Sequence, residues 1–188
     1  HTPSSTPTSE PGGSDNAAIF LSEFLADPGA VSDANGEWIE LHNAGSERVN
    51  LKGWTLADLD DDSHTIGADL FIDPDEYAVL GRNANPSLNG GVTIAYVYTE
   101  FSLANGADEI LLLHPDGNEV DRVVWGGDSG LRVTAGKSLE RVTFGPIPVW
   151  LTAFALWPGS ADDLGTPGNA FTPPNPTATP TPTLTATT

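Results

Sequence analysis

The chain contains no cysteine and no methionine, and only 7 of its 188 residues are Lys or Arg against 26 Asp or Glu. Each shortage excludes something. Without cysteine there is neither a disulfide framework nor a thiolate metal site. With a formal net charge of −19 and a pI near 4.1, the chain lacks the cations that displace counterions from a nucleic-acid backbone, so nucleic acid is excluded as a partner. No apolar run approaches the ~18–20 residues of a membrane-spanning helix, and no membrane insertion of that kind is expected. The acidic balance speaks for solubility, mutual repulsion and affinity for divalent cations rather than for a fold. The sequence opens at His1, as it would after removal of a signal segment. Cytosolic proteins usually keep a few reduced thiols, so the expected location is extracellular or at the cell surface.

What is present falls into three parts. Residues 1–16 read HTPSSTPTSEPGGSDN, and the stretch from 171 to 188 is dominated by Thr and Pro. Neither buries enough apolar surface to offset its ordering entropy, so both are expected to be extended tails, with the composition of O-glycosylated stalks. Residues 17–170 carry the apolar periodicity and form one domain, large enough to bury ~70% of its unfolded surface.

Within that domain the period is two. Short runs rich in β-branched and aromatic residues recur near 18–25, 37–42, 48–51, 54–58, 70–72, 77–82, 92–99, 109–114, 119–125 and 138–142. Turn residues separate them, and Asp116-Gly117 marks a hairpin between 109–114 and 119–125, because Asp-Gly tolerates the positive φ of a tight loop. No window sustains a helical period over three turns. Many short strands joined by Gly and Pro turns predict an all-β sandwich or barrel.

Several phrases then line up in one order: Ile19-Phe20-Leu21-Ser22-Glu23-Phe24, Glu37-Trp38-Ile39-Glu40-Leu41-His42-Asn43, Gly53-Trp54-Thr55-Leu56, Ser138-Leu139-Glu140-Arg141 and Gly165-Thr166-Pro167-Gly168. Together they resemble the lamin-tail domain family in its bacterial secreted form, from about Ala18 to Asn169. The resemblance implies an immunoglobulin-like β-sandwich without catalysis, mostly used outside the cell as a surface module.

The residues themselves agree on catalysis. None of the four His stands in a zinc-type spacing. Gly127-Asp128-Ser129-Gly130 lacks the strand–elbow–helix context of a nucleophile. No enzyme is expected. Calcium is the cofactor to consider, since hard cations take six to eight oxygens from a flexible loop. Asp33, Asn35 and Glu37 place oxygen side chains at alternate positions, and Asp58, Asp60 and Asp62 form a second such set. The plainer readings are a hairpin turn at Asn35-Gly36 and a solvated acidic loop. Trp38, Trp54 and Trp125 sit in strand patterns, so the core is expected to claim most of them.

One stretch departs from the family pattern. Ile147 to Trp157 is uncharged and holds two Trp, so it is either an additional strand or a docking surface. The C-terminal tail ends in Thr183-Leu184-Thr185-Ala186, which alternates like a strand. As polyproline II at ~3.1 Å per residue, a tail of this length reaches roughly 50 Å, across a neighbouring subunit. The expected role is a non-enzymatic extracellular structural module that self-assembles into a surface filament or matrix. Trp150, Phe154, Trp157, Leu184 and Ala186 are its expected contacts, and further copies of itself are the expected partner. The alternative is a calcium-dependent adhesion or anchoring module of a larger surface protein.

Overall fold

The computed structural model describes residues 19–144 and 147–173. Residues 1–16, Leu184 and Ala186 lie outside the described residues. The strands in chain order are β1 (Ile19–Leu25), β2 (Trp38–Asn43), β3 (Val49–Asn50), β4 (Thr55–Ala57), β5 (Ser63–Thr65), β6 (Phe71–Ile72), β7 (Tyr77–Gly81), β8 (Tyr96–Val97), β9 (Asp108–Leu113), β10 (Glu119–Trp125), β11 (Leu139–Arg141) and β12 (Trp150–Thr152). A single helical turn, α1 (Asp33–Gly36), precedes β2.

A six-stranded sheet runs β12-β11-β1-β2-β7-β8, a four-stranded sheet β10-β9-β4-β5, and β3 pairs with β6 in a separate ribbon. All pairings are antiparallel except β7 with β8. Alternation along each strand sends one side-chain set inward. Ile19, Leu21, Phe24, Ile39, Leu41, Leu80 and Leu139 from the larger sheet meet Leu56, Ile110, Leu112, Val123 and Trp125 from the smaller in one buried core. Trp54 lies in it too, and Phe24 packs 4.8 Å from Trp125. This is the expected immunoglobulin-like β-sandwich.

Two bulges make the seam between the sheets. Pairing shifts between Leu21 and Glu23 in β1 and between Glu119 and Asp121 in β10, and such bulges bend a strand and re-aim a side chain. Asp121 is thereby turned toward the other sheet, where its Oδ2 accepts from the Leu21 amide at 2.9 Å and from Arg141 Nη1. Arg141 also donates to the carbonyls of Leu21 (3.2 Å) and Thr143 (3.1 Å), and its guanidinium lies over Phe20.

The outer face of the six-stranded sheet is covered as well. Leu25, Trp38, Val79 and Val92 point away from the main core and form a second buried cluster with Trp157, which meets Trp38 edge-on at 6.1 Å. The chain then crosses the sheet as a strap, Gly165-Thr166-Pro167-Gly168. A side that strand alternation would give to solvent is closed by the C-terminal segment of the domain.

Local departures from the sequence reading have physical causes. Asn35-Gly36 is not a hairpin turn: both amides donate to the Ser32 carbonyl and wind the chain into α1. The expected strand over 92–99 shrinks to β8: Val92 is buried in the outer-face cluster instead, and only Tyr96 and Val97 pair with β7. β5 escaped notice because an exposed edge strand, Ser-His-Thr, carries no apolar alternation. The uncharged stretch supplies one further strand, β12, at the end of the larger sheet.

Candidate functional site

Two features stand out: an apolar strip at one edge, and a row of buried carboxylates under the strap.

The strip follows from β12. Arg141 pairs with Trp150 and Leu139 with Thr152, leaving β12 as the terminal strand of its sheet. Alternation then splits the stretch. Trp150 is half-buried and packs edge-on against Phe24 at 5.7 Å, whereas Leu151 on the opposite side is 45% exposed. Phe144, Ile147, Val149, Phe154 and Leu156 are exposed beside it, Ile147 to 82%. Phe154 meets Phe171 edge-on at 6.2 Å, where the chain runs toward the C-terminal tail. From Val142 to Ala161 there is no charged side chain, although the chain as a whole carries −19. A groove of about 520 Å³ adjoins the strip, lined in part by Phe20, Val120, Arg122, Phe144 and Pro148.

The structure sorts the expected contacts accordingly. Phe154 lies on the surface. Trp157 does not: it is 6% exposed and belongs to the cluster under the outer face. Trp150 gives most of its ring to the core, because strand alternation turns it inward. Phe144 is the surface residue missed in the sequence; it precedes the apolar run 147–157 and stands beside a polar Thr143.

The carboxylate row comes from register. Glu23 of β1 is opposite Glu40 of β2 on one side and Glu140 of β11 on the other. Like charges directly opposite on neighbouring strands destabilise a sheet; here three stand in line, each no more than 2% exposed. The strap supplies donors. Glu23 Oε1 accepts from the Thr166 amide at 2.8 Å and from Ser138 Oγ at 2.5 Å. Glu40 accepts from Ser22 Oγ at 2.7 Å and from the Gly168 amide at 2.5 Å. Burial pushes the Glu23 carboxyl up to about 8, with the Glu140 charge adding to the effect. Burial, then the Glu23 charge, holds Glu40 well above the carboxylate range, and burial raises Glu140 too. The sequence held one signal: Glu inside apolar strand runs, as in Ser22-Glu23-Phe24 and Leu139-Glu140.

The calcium candidates are spread over separate contacts. Asp33 Oδ2 accepts from Asn105 Nδ2 at 3.2 Å, and Asn35 Oδ1 from Asn83 Nδ2 at 2.8 Å. Glu37 turns inward, accepting from Arg82 Nη1 and the Leu103 amide, each at 3.2 Å; burial outweighs Arg82 and lifts its carboxyl to about 7. In the acidic loop, Asp58 Oδ1 accepts from the amides of Asp60 (2.9 Å) and Asp62 (3.0 Å). Asp62 Oδ2 accepts from Ser102 Oγ at 3.0 Å, and Asp60 is exposed. Among the described residues no three His, Asp or Glu side chains converge as ligands of one ion. His42, within β2, is buried and stacked on Tyr77 at 4.3 Å.

Two facing sheets, an aromatic core between them and a covered outer face define an immunoglobulin-like β-sandwich of a non-catalytic class. The chain belongs to the lamin tail domain family, whose model matches residues 13–127. That match ends after β10, so β11, β12 and the strap lie beyond it. No curated protein matches the chain.

Proposed function

We propose that this protein is a non-enzymatic extracellular structural module that assembles with further copies of itself, into a surface filament or matrix, through the apolar strip around β12. The observation that carries the reading is the concentration of Phe144, Ile147, Val149, Leu151, Phe154 and Leu156 in a stretch free of charge. Contiguous exposed apolar patches on soluble domains mark interaction sites. Repulsion at −19 opposes contact between copies over most of the surface, so the strip is where two copies approach at least electrostatic cost. A second copy also fits the geometry: β12 ends its sheet, and the same strand of a two-fold-related copy can lie antiparallel beside it. The Thr/Pro tail then provides the second contact that turns pairs into a polymer.

The test is a double variant that leaves the core alone. Leu151→Lys with Phe154→Ser alters two exposed side chains, so its melting temperature stays close to that of the parent. Its sedimentation coefficient is expected to remain that of a monomer at concentrations where the parent associates. Trp150 is unsuitable for this purpose, since its ring packs on Phe24. Equal association of parent and variant would rule the strip out as the contact.

A further inference from the structure

Thr166 Oγ1 stands 3.0 Å from Glu23 Oε2 and 3.0 Å from Glu140 Oε1. A hydroxyl has one hydrogen and can donate to only one of them. The other contact is a hydrogen bond only if that carboxyl is protonated and donates to the hydroxyl oxygen; otherwise an anionic oxygen faces a lone pair in a buried site. Burial raises both carboxyls, so either can hold the proton, and the remaining bonds favour Glu140. Glu23 is met by three donors, the Thr166 amide, Thr166 Oγ1 and Ser138 Oγ, as suits a carboxylate. Among the described residues the buried Glu140 Oε2 finds no hydrogen-bond partner, tolerable for the carbonyl oxygen of a neutral acid and costly for an anion.

We infer that Glu23 and Glu140 share one bound proton at neutral pH, and that this proton latches the strap 165–168 onto the sheet. The strap is fitted to the carboxyls. A Cβ on Gly165 would lie 2.7 Å from Glu23 Oε1, and the Gly168 amide reaches Glu40. Among the described residues no cation pairs with the row. Of the charged and titratable groups around it, Arg141 is committed to Asp121. Tyr77 of β7 lines the same small cavity, and His42 stacks on its ring. Asp163, which precedes the strap, is held by the amides of Gly29 and Ala30. The strap itself carries no titratable side chain. When the strap lifts, water reaches the row and the carboxyls regain ordinary acidity, so opening releases the proton to solvent. Opening linked to loss of one proton becomes up to tenfold more favourable per pH unit, and Glu40, raised likewise and bonded to the Gly168 amide, adds a second proton where that end lifts too. Two residues separate the strap from Phe171, which packs edge-on against Phe154 beside the apolar strip.

Amide exchange at Thr166 and Gly168 tests this in the full chain. After correction for the intrinsic pH dependence of exchange, their opening constant is expected to rise steeply from about pH 5 to pH 8 and then level off. Both amides should exchange faster than that of Leu41 in the core. Glu140→Gln supplies a permanent donor to Thr166 Oγ1 and should lower the slope at Thr166 by the share of one proton, up to tenfold per pH unit. A flat profile in the parent, an unchanged slope in Glu140→Gln, or strap exchange no faster than that of Leu41 would overturn the latch. Carboxyl ¹³C NMR of the unmodified chain decides the matter even if the variant misfolds. One of Glu23 and Glu140 should show the shift of a protonated acid at pH 6.5, and two ionised carboxylates there would refute the shared proton. None of these outcomes depends on whether copies associate through the strip.

Discussion

Arg141→Ala lowers the stability of the domain by about 3–5 kcal/mol, the usual consequence of removing one partner from a buried ion pair. The guanidinium is 3% exposed and Asp121 12%. Without it, Asp121 keeps its charge at the sheet seam with only the Leu21 amide as donor, and the carbonyls of Leu21 and Thr143 lose a donor each. Packing goes as well, since the guanidinium lies against the contacting Phe20 and Phe144 rings, 5.2 and 5.4 Å from their centroids. A matched control is available on β10: Arg122 pairs with Glu119 at the surface, so Arg122→Ala should change stability by no more than about 0.5 kcal/mol. Urea unfolding of both variants checks the pair. Asp121→Asn in the Arg141→Ala background should recover part of the loss, because it removes the stranded charge. Equal, small effects from Arg141 and Arg122 would mean that the seam is held by apolar packing alone.

Stability should fall as pH rises from about 4.5 to about 8. Glu23, Glu37, Glu40, Glu140, Asp108 and Asp163 all have carboxyls raised by burial. A group raised in the folded state binds more protons there than in the unfolded chain, so the slope of unfolding free energy against pH is negative between the two values. The contribution is complete below the unfolded value near 4.5 and is lost as pH climbs through about 7 for Glu37 and about 8 for Glu23. Each proton so held gives a slope of ~1.4 kcal/mol per pH unit. Below 4.5 the trend reverses, since Asp69, Asp116 and Glu119 have lowered carboxyls and favour the folded state only when ionised. Glu23→Gln sharpens the test. Its amide oxygen can still accept from Ser138 and the Thr166 amide, and its NH₂ can donate to Thr166 Oγ1. The variant should be more stable than the parent at pH 8, by roughly 1–3 kcal/mol, the scale of an uncompensated buried polar group, and little changed at pH 5. Urea unfolding at the two pH values measures it. A parent more stable at pH 8 than at pH 5 would mean that the row is solvated rather than buried.

The sequence made the sandwich legible where local signals and tertiary fate agree. Asp116-Gly117 sits in the loop between β9 and β10, which pair antiparallel with Val123 opposite Ile110. Trp54 and Trp125 entered the core as their alternation indicated. The carboxylate row was beyond such reasoning, because Glu23 and Glu140 become neighbours only when β11 is laid beside β1 after more than a hundred intervening residues. Glu40 alternates with the inward Ile39 and Leu41, and only the strap, distant in sequence, buries it. The same holds for Asp121, whose inward turn depends on a bulge with no sequence signature of its own. In the strip, the lack of charge was plain, but only the pairing of β12 with β11 separates the inward Trp150 from the outward Leu151.

Sedimentation velocity of the full chain over a wide concentration range, with electron microscopy of the same samples, tests assembly through the strip most directly. The expected result is concentration-dependent growth beyond the 19.6 kDa monomer into elongated polymers. A single monomeric species up to the highest concentration, with no filaments on the grid, would contradict it.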